Sequence, residues 1–284
     1  MARRLGMDAV TNTDLDGLRA GDLATREAHL YRLLDRAHDF GDPAAVAALH
    51  ALVRDYPDYH RSLYTRAMNQ VDAFAAHTPK DTLREPLLAA LADTRYNCQA
   101  WAAMGCAAVG VRDAVPKLIS LLDHPQWMVV DEAVKALGRL GDASVVPALS
   151  PLLADDVDWV RLRAAEALAN IGGPEALDAL WHEFEHRRFA RIGHIASALA
   201  SFAPEVIPRL IAAAADPDPN RRYWAAVALG STGDERVAPT LERLQAEDRG
   251  ATVFDGEVRV AAKKAIRTLR RIQAAIAARE QRPG

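Results

Sequence analysis

Two cysteines are all that 284 residues contain, and they stand eight apart at Cys98 and Cys106. On a helix that separation is about 12 Å, too far for a disulfide, whose Cα atoms lie about 5 to 6 Å apart. Reduced thiols are expected, and with them a cytoplasmic protein. Aromatic residues make up only 6%, and the formal net charge is -3, which excludes a uniformly basic nucleic-acid binder. With half the residues hydrophobic, a disordered chain is excluded as well. No apolar run approaches the roughly 18 residues of a membrane span, and the opening Met-Ala-Arg-Arg lacks the apolar segment of a signal peptide. No partner membrane is expected. Neither a glycine-rich phosphate loop, nor a nucleophile elbow, nor a clustered set of metal ligands occurs, so no catalytic residue, metal or cofactor is assigned.

What is present is repetition. From Asp113 the chain reads DAVPKLISLLDHPQWMVVDEAVKALGRLGD, then DASVVPALSPLLADDVDWVRLRAAEALANIG, and at a shift of 31 residues Pro116 meets Pro147, Val129 meets Val160, Ala133 meets Ala164 and Leu137 meets Leu168. Pro208 and Pro239 continue the series, and Arg161 finds counterparts in Arg191, Arg222 and Arg259. A fixed period of this length is the mark of a solenoid, whose units bury their apolar faces only by stacking.

The VR of Val160-Arg161, the AA of Ala164-Ala165, and the ALG and IG of Ala136-Leu137-Gly138 and Ile171-Gly172 resemble the HEAT-repeat family, in particular its short PBS-lyase-like repeats. The resemblance is strong from about Pro86 to Leu244. It implies an all-α, right-handed α-solenoid of about six to seven helix pairs, and a family that includes adaptors, lyase subunits and enzymes. The expected organisation is a mobile lead-in over 1–21 and a single solenoid over 22–284, with diverged repeats in 22–109, regular repeats in 110–233 and a capping repeat in 234–284. Helix pairs are predicted at about 113–140, 144–171, 174–202 and 204–232. A last pair, 235–246 and 256–279, is split by the insertion Asp248 to Gly256.

Rotating 100° per residue along the second helix of a unit places Val129, Ala133, Ala136, Leu137 and Leu140 on the core side, with Trp127, Asp131, Val134, Lys135 and Gly138 opposite. In solenoids of this kind the second helices line the concave surface. The Asp131 position recurs as Ala100, Leu162, Ile192, Tyr223 and Val260, an apolar row where a solvated face would be polar. The candidate partner-binding residues are therefore Tyr96, Trp101, Trp127, Asp131, Trp159, Leu162, Arg163, Phe189, Ile192, Tyr223 and Trp224. Their bland counterpart is packing between repeats. The recurring arginines are read as structural, reaching acidic turns such as Asp155-Asp156 and Asp216.

Two motifs point toward enzymes. His182-Glu183-Phe184-Glu185-His186 has the H-E-x-x-H spacing of a zinc site, but the inward stripe Leu177, Leu180, Phe184 leaves both imidazoles facing out, without a third ligand. Trp127 and Asp131 are similar in arrangement to the HEAT-like alkylpurine DNA glycosylases, a resemblance that would make Trp127 stack, Asp131 assist and Arg161 or Arg163 hold phosphate. The favoured expectation is a non-catalytic scaffold or adaptor whose concave face binds another protein or peptide, as an assembly factor or a neutralising partner such as a toxin inhibitor. Nucleic-acid binding is the runner-up, and a scaffold subunit of a tetrapyrrole lyase the lesser alternative. The long last helix, with Lys263, Lys264, Arg267, Arg270 and Arg271, is expected to cap the solenoid with a polar outer face.

Overall fold

Prolines fix where the helices begin. Pro116, Pro147, Pro208, Pro219 and Pro239 each occupy the first turn of a helix, where a missing N–H is no loss. The computed structural model describes residues 80–94, 96–186 and 192–280, with four residues of an earlier helix, Thr25, Ala28, His29 and Arg32. The expected lead-in over 1–21 and the diverged repeats before Lys80 lie outside the described residues. Contacts divide the chain into two compact units, 1–141 and 142–284, at a turn between repeats.

In the first unit the described helices are α1 (Lys80–Ala92), α2 (Tyr96–Val109), α3 (Val115–Ser120) and α4 (Trp127–Leu140). Small residues dominate α2, with Ala100, Ala102, Ala103, Gly105, Cys106, Ala107 and Ala108 around Trp101 and Met104, so it can be packed on two sides at once, against α1 and α4. A Cβ on Gly105 would fall 2.5 Å from Leu87 Cδ2, so the glycine lets the Leu87 side chain lie close against α2. Leu87, Leu91, Leu118, Val129, Ala133 and Leu137 complete the core. Cys106 is fully enclosed, and burial pushes its thiol up to about 12, which leaves it an unreactive core group.

The second unit contains α5 (Val146–Leu149), α6 (Asp158–Ile171), α7 (Gly173–His186), α8 (Gly193–Ala200), α9 (Ile207–Ala213), α10 (Pro219–Ser231), α11 (Ala238–Glu247) and α12 (Val258–Glu280). The helix expected from residue 144 is broken into a 3-10 turn, the four residues of α5 and a second 3-10 stretch over Ser150–Ala154. Pro151 has no N–H for the α-helical ladder, so the tighter winding takes over. The second helices α6, α8, α10 and α12 lie side by side in chain order, each packed on the next. At the last of these contacts a Cβ on Gly230 would meet Ala265 Cβ, Cα and carbonyl oxygen at 2.5 to 2.6 Å, so α10 and α12 approach backbone to backbone.

The turns repeat their chemistry as well. Asp142, Asp218 and Asp234 each accept the backbone N–H two residues on. Arg161 Nη1 donates to Asp155 O at 2.6 Å, and Arg222 Nη1 to Asp216 O at 2.7 Å, so these two recurring arginines do reach the acidic turns. Gly172 and Gly233, at φ 69° and 73°, end their helices in the left-handed region that other residues avoid. All of this follows from the repeat. One segment, the insertion after α11, does not.

Candidate functional site

That insertion is held by a nearly buried ion pair. Arg222, on the first turns of α10, donates from Nε to Asp248 Oδ2 at 2.7 Å and from Nη2 to Oδ1 at 3.2 Å. Asp248 Oδ1 also takes the Gly250 N–H at 2.7 Å. Burial opposes ionisation of Asp248, yet the hydrogen bonds from Arg222 and Gly250 and the nearby guanidinium charge outweigh it, so its carboxyl titrates below the ordinary aspartate range. Farther along, buried Thr252 accepts the N–H groups of Asp255 and Gly256 on its hydroxyl at 2.7 and 2.8 Å. Main-chain bonds from Thr252 N to Gly256 O and from Val258 N to Gly250 O close the ring, with Gly256 at φ 110° making the turn.

The product is a loop fixed at its base with two apolar side chains at its tip, Val253 at 69% and Phe254 at 65% exposure. Water gains nothing from that arrangement, and folding gains nothing either. Beside the loop, the Tyr223 hydroxyl is raised in pKa, first by burial and then by the carboxylate of Asp255. Val260, one turn into α12, is also exposed. The tip pair was not among the candidate residues of the sequence, where Val253-Phe254 is an apolar pair inside a polar insertion bracketed by glycines.

The expected apolar row is only partly accessible. Leu162 on α6 is exposed, whereas Tyr223 and Trp224 on α10 and Trp159 and Arg163 on α6 are half-buried. Ile192 is 2% exposed and cannot meet a ligand. It caps α8, which starts only at Gly193, so the residue precedes the helix face on which the repeat register had placed it. Trp224 stands edge-on to Tyr223 and presses on α8, its ring 3.2 Å from where a Gly193 Cβ would be. Arg163 Nη1 is engaged by Glu166 at 2.7 Å. Between α6 and α8 a groove of about 600 Å³ opens, with Leu162, Glu166 and Asn170 on one wall and Gly193, His194 and Ser197 on the other.

In the first unit, the face of α4 expected to be open is mostly closed. Val134, Gly138 and Asp131 are buried, and only Trp127 stands out, at 54%. Asp131 Oδ2 takes the Lys135 ammonium at 2.6 Å, and Lys135 also reaches Glu132 at 2.9 Å. A buried, neutralised carboxylate is withdrawn from the assisting role that the glycosylase resemblance would give it. Trp101 is likewise a core residue, 4% exposed, because α2 is covered on two sides. The side chain of Tyr96 and all of Phe189 lie outside the described residues. His182 and His186 are exposed on α7 as expected, stacked ring on ring at 4.1 Å, with His186 Nδ1 2.7 Å from the His182 carbonyl oxygen. Among the described residues no group of three or more His, Cys, Asp or Glu is placed to hold a metal. No described helix is long and apolar enough to cross a membrane.

A row of side-by-side second helices, alternating with first helices that open on proline, defines a helical-repeat protein. The model for HEAT repeats matches residues 84–169 and 185–267, and that for the PBS lyase HEAT-like repeat matches 160–180. The chain belongs to the HEAT-repeat family. It is 30% identical over 139 residues to an uncharacterized phycocyanin operon protein Z of Pseudanabaena tenuis, covering 49% of this chain and 58% of that one. To deoxyhypusine hydroxylase of Gallus gallus it is 33% identical over 119 residues, 41% of this chain and 36% of the other. The chain thus spans little more than half the length of one of these relatives and about a third of the other. Among solved structures, the CpcE and CpcF complex of phycocyanin lyase from Nostoc sp. aligns over 97% of both chains, with a TM-score of 0.39 and 20% identity.

Proposed function

We propose that this helical-repeat scaffold binds another protein or peptide through its second unit, with the loop tip Val253-Phe254 as the apolar anchor and Leu162 and Val260 as flanking contacts. One observation carries the reading: an ion pair with both side chains more than four-fifths buried is used to hold two large hydrophobic side chains in water. A loop ordered beforehand loses little entropy on binding, and an aromatic anchor entering a partner's pocket supplies the area. Catalysis by this chain is not part of the proposal.

The test is quantitative affinity capture from the source cell, comparing wild type with Val253→Ser/Phe254→Ala and with Leu162→Glu. A defined set of proteins retained by wild type and reduced at least tenfold by the tip variant is the expected result. Equal recovery on both would overturn the assignment of the tip.

A second reading, a scaffold subunit of a tetrapyrrole lyase, is favoured by the 30% identity to phycocyanin operon protein Z. Under that reading the captured proteins are phycobiliproteins or a second repeat protein.

A further inference from the structure

The long last helix carries an unpaired charge that the repeat does not require. Between Val258 and Arg279 there is no acidic residue, while Lys263, Lys264, Arg267, Arg270 and Arg271 are all exposed. Val258, Ala261, Ala262, Ala265, Ile266 and Leu269 are buried against α10 and α11. At 100° per residue the five cations fall in an arc of about 120° directly opposite that stripe, over an axial length of about 12 Å.

Arginines elsewhere in the chain are tied down: Arg84 to Asp113, Arg161 to Asp158, Arg222 to Asp248 and Arg236 to Asp234. None of the five on α12 forms an ion pair with another described residue. Lys263 and Lys264 face Arg267, and Arg267 faces Arg270 and Arg271, at three- or four-residue spacing, where like charges destabilise a helix by about 0.2 to 0.5 kcal/mol per pair. A cap that needed only to be polar would have alternated its signs. The stripe is better explained by a polyanion than by solvation.

We propose that the outward face of α12 binds the phosphodiester backbone of duplex nucleic acid without reading its sequence. The face has no aromatic side chain to stack on a base and no Asn or Gln to read adenine, and its five side chains are all cations, whose charge serves any phosphate whatever base it carries. Val260 is the one large apolar group beside them, too little to anchor an acidic protein. The helix's own apolar stripe is already used against α10 and α11, which leaves nothing to insert into a bilayer. Phosphates need neither. Along about 12 Å of duplex roughly seven of them are available, and affinity comes from counterions released by the cations. This surface adjoins the loop-tip site at Val260, but its assignment does not rest on the reading above.

The experiment is fluorescence anisotropy of the full chain with two unrelated 30-base-pair DNA duplexes, titrated between 50 and 200 mM NaCl. With five contacts the slope of log Kobs against log salt is expected near -4.5, a loss of about 500-fold over that range, equal for both sequences. Lys263→Gln/Arg267→Gln/Arg271→Gln, at exposed positions and checked by helicity and melting temperature, should lower the slope to about -2. Lys263→Arg/Arg267→Lys should retain the wild-type value. Absence of binding at 50 mM, a wild-type slope shallower than -2, or an unchanged slope in the triple Gln variant would overturn the proposal. So would tighter binding to phosphatidylserine vesicles or polyglutamate than to DNA.

Discussion

Helices α4 and α10 occupy the same place in their repeats and use it in opposite ways. On α4 the charges close in on one another: Lys135 is shared by Asp131 and Glu132 of the same helix, and the surrounding face is buried. On α10 the equivalent turn reaches outward. Arg222 leaves its helix for Asp248, 26 residues on, and Tyr223 stands at the position of Asp131 beside the inserted loop. A repeat scaffold thus becomes particular where one unit departs from the pattern, and a position that merely packs in one repeat can support an insertion in another.

The contrast gives a ranked set of expectations for denaturant unfolding. Arg222→Ala leaves the buried Asp248 carboxylate without its cation and should destabilise the second unit by about 3 kcal/mol. Lys135→Ala removes a cation whose own side chain is 37% exposed, so water replaces part of what it gave Asp131 and Glu132, and the cost should be smaller, about 1 to 2 kcal/mol. Equal losses would erase the distinction. Next in size, Gly230→Ala drives a methyl into the Ala265 backbone and should cost about 2 kcal/mol, whereas Gly105→Ala meets only the movable end of Leu87 and should cost under 1.

Acid should also separate the two sites. The folded Asp248 carboxyl titrates below its unfolded value of about 3.9, so its contribution is fully present above that pH and is lost as pH falls through the folded value. Between pH 5 and pH 3 the wild type should lose more stability than Asp248→Asn, and parallel losses would contradict the pairing. The smallest effect belongs to the tip: Val253→Ser/Phe254→Ala should change stability by no more than about 0.5 kcal/mol, because those side chains touch little of the fold.

Much of the architecture was legible because it rests on local chemistry. Prolines spaced at the period announced the helix starts, the ALG and IG segments their ends, and the recurring arginines their acidic turns. The binding face was less legible. The wheel drawn from α4 assumed one buried side per helix, but α2 is covered twice and α4 buries Val134 and Gly138 as well. Register failed at Ile192 because α8 is short and begins after it. The loop tip went unread for a different reason. Nothing in a Val-Phe pair says whether it folds inward, and its exposure is decided by Arg222, a residue 31 positions earlier whose partner only tertiary structure supplies.

Amide hydrogen exchange on the free protein tests the central claim, that the insertion is ordered before any partner arrives. The account expects slow exchange at Thr252, Asp255, Gly256 and Val258, whose N–H groups are bonded, with fast exchange at Phe254 and loss of all the protection in Arg222→Ala. Unprotected rates at those four amides in the wild type would contradict it.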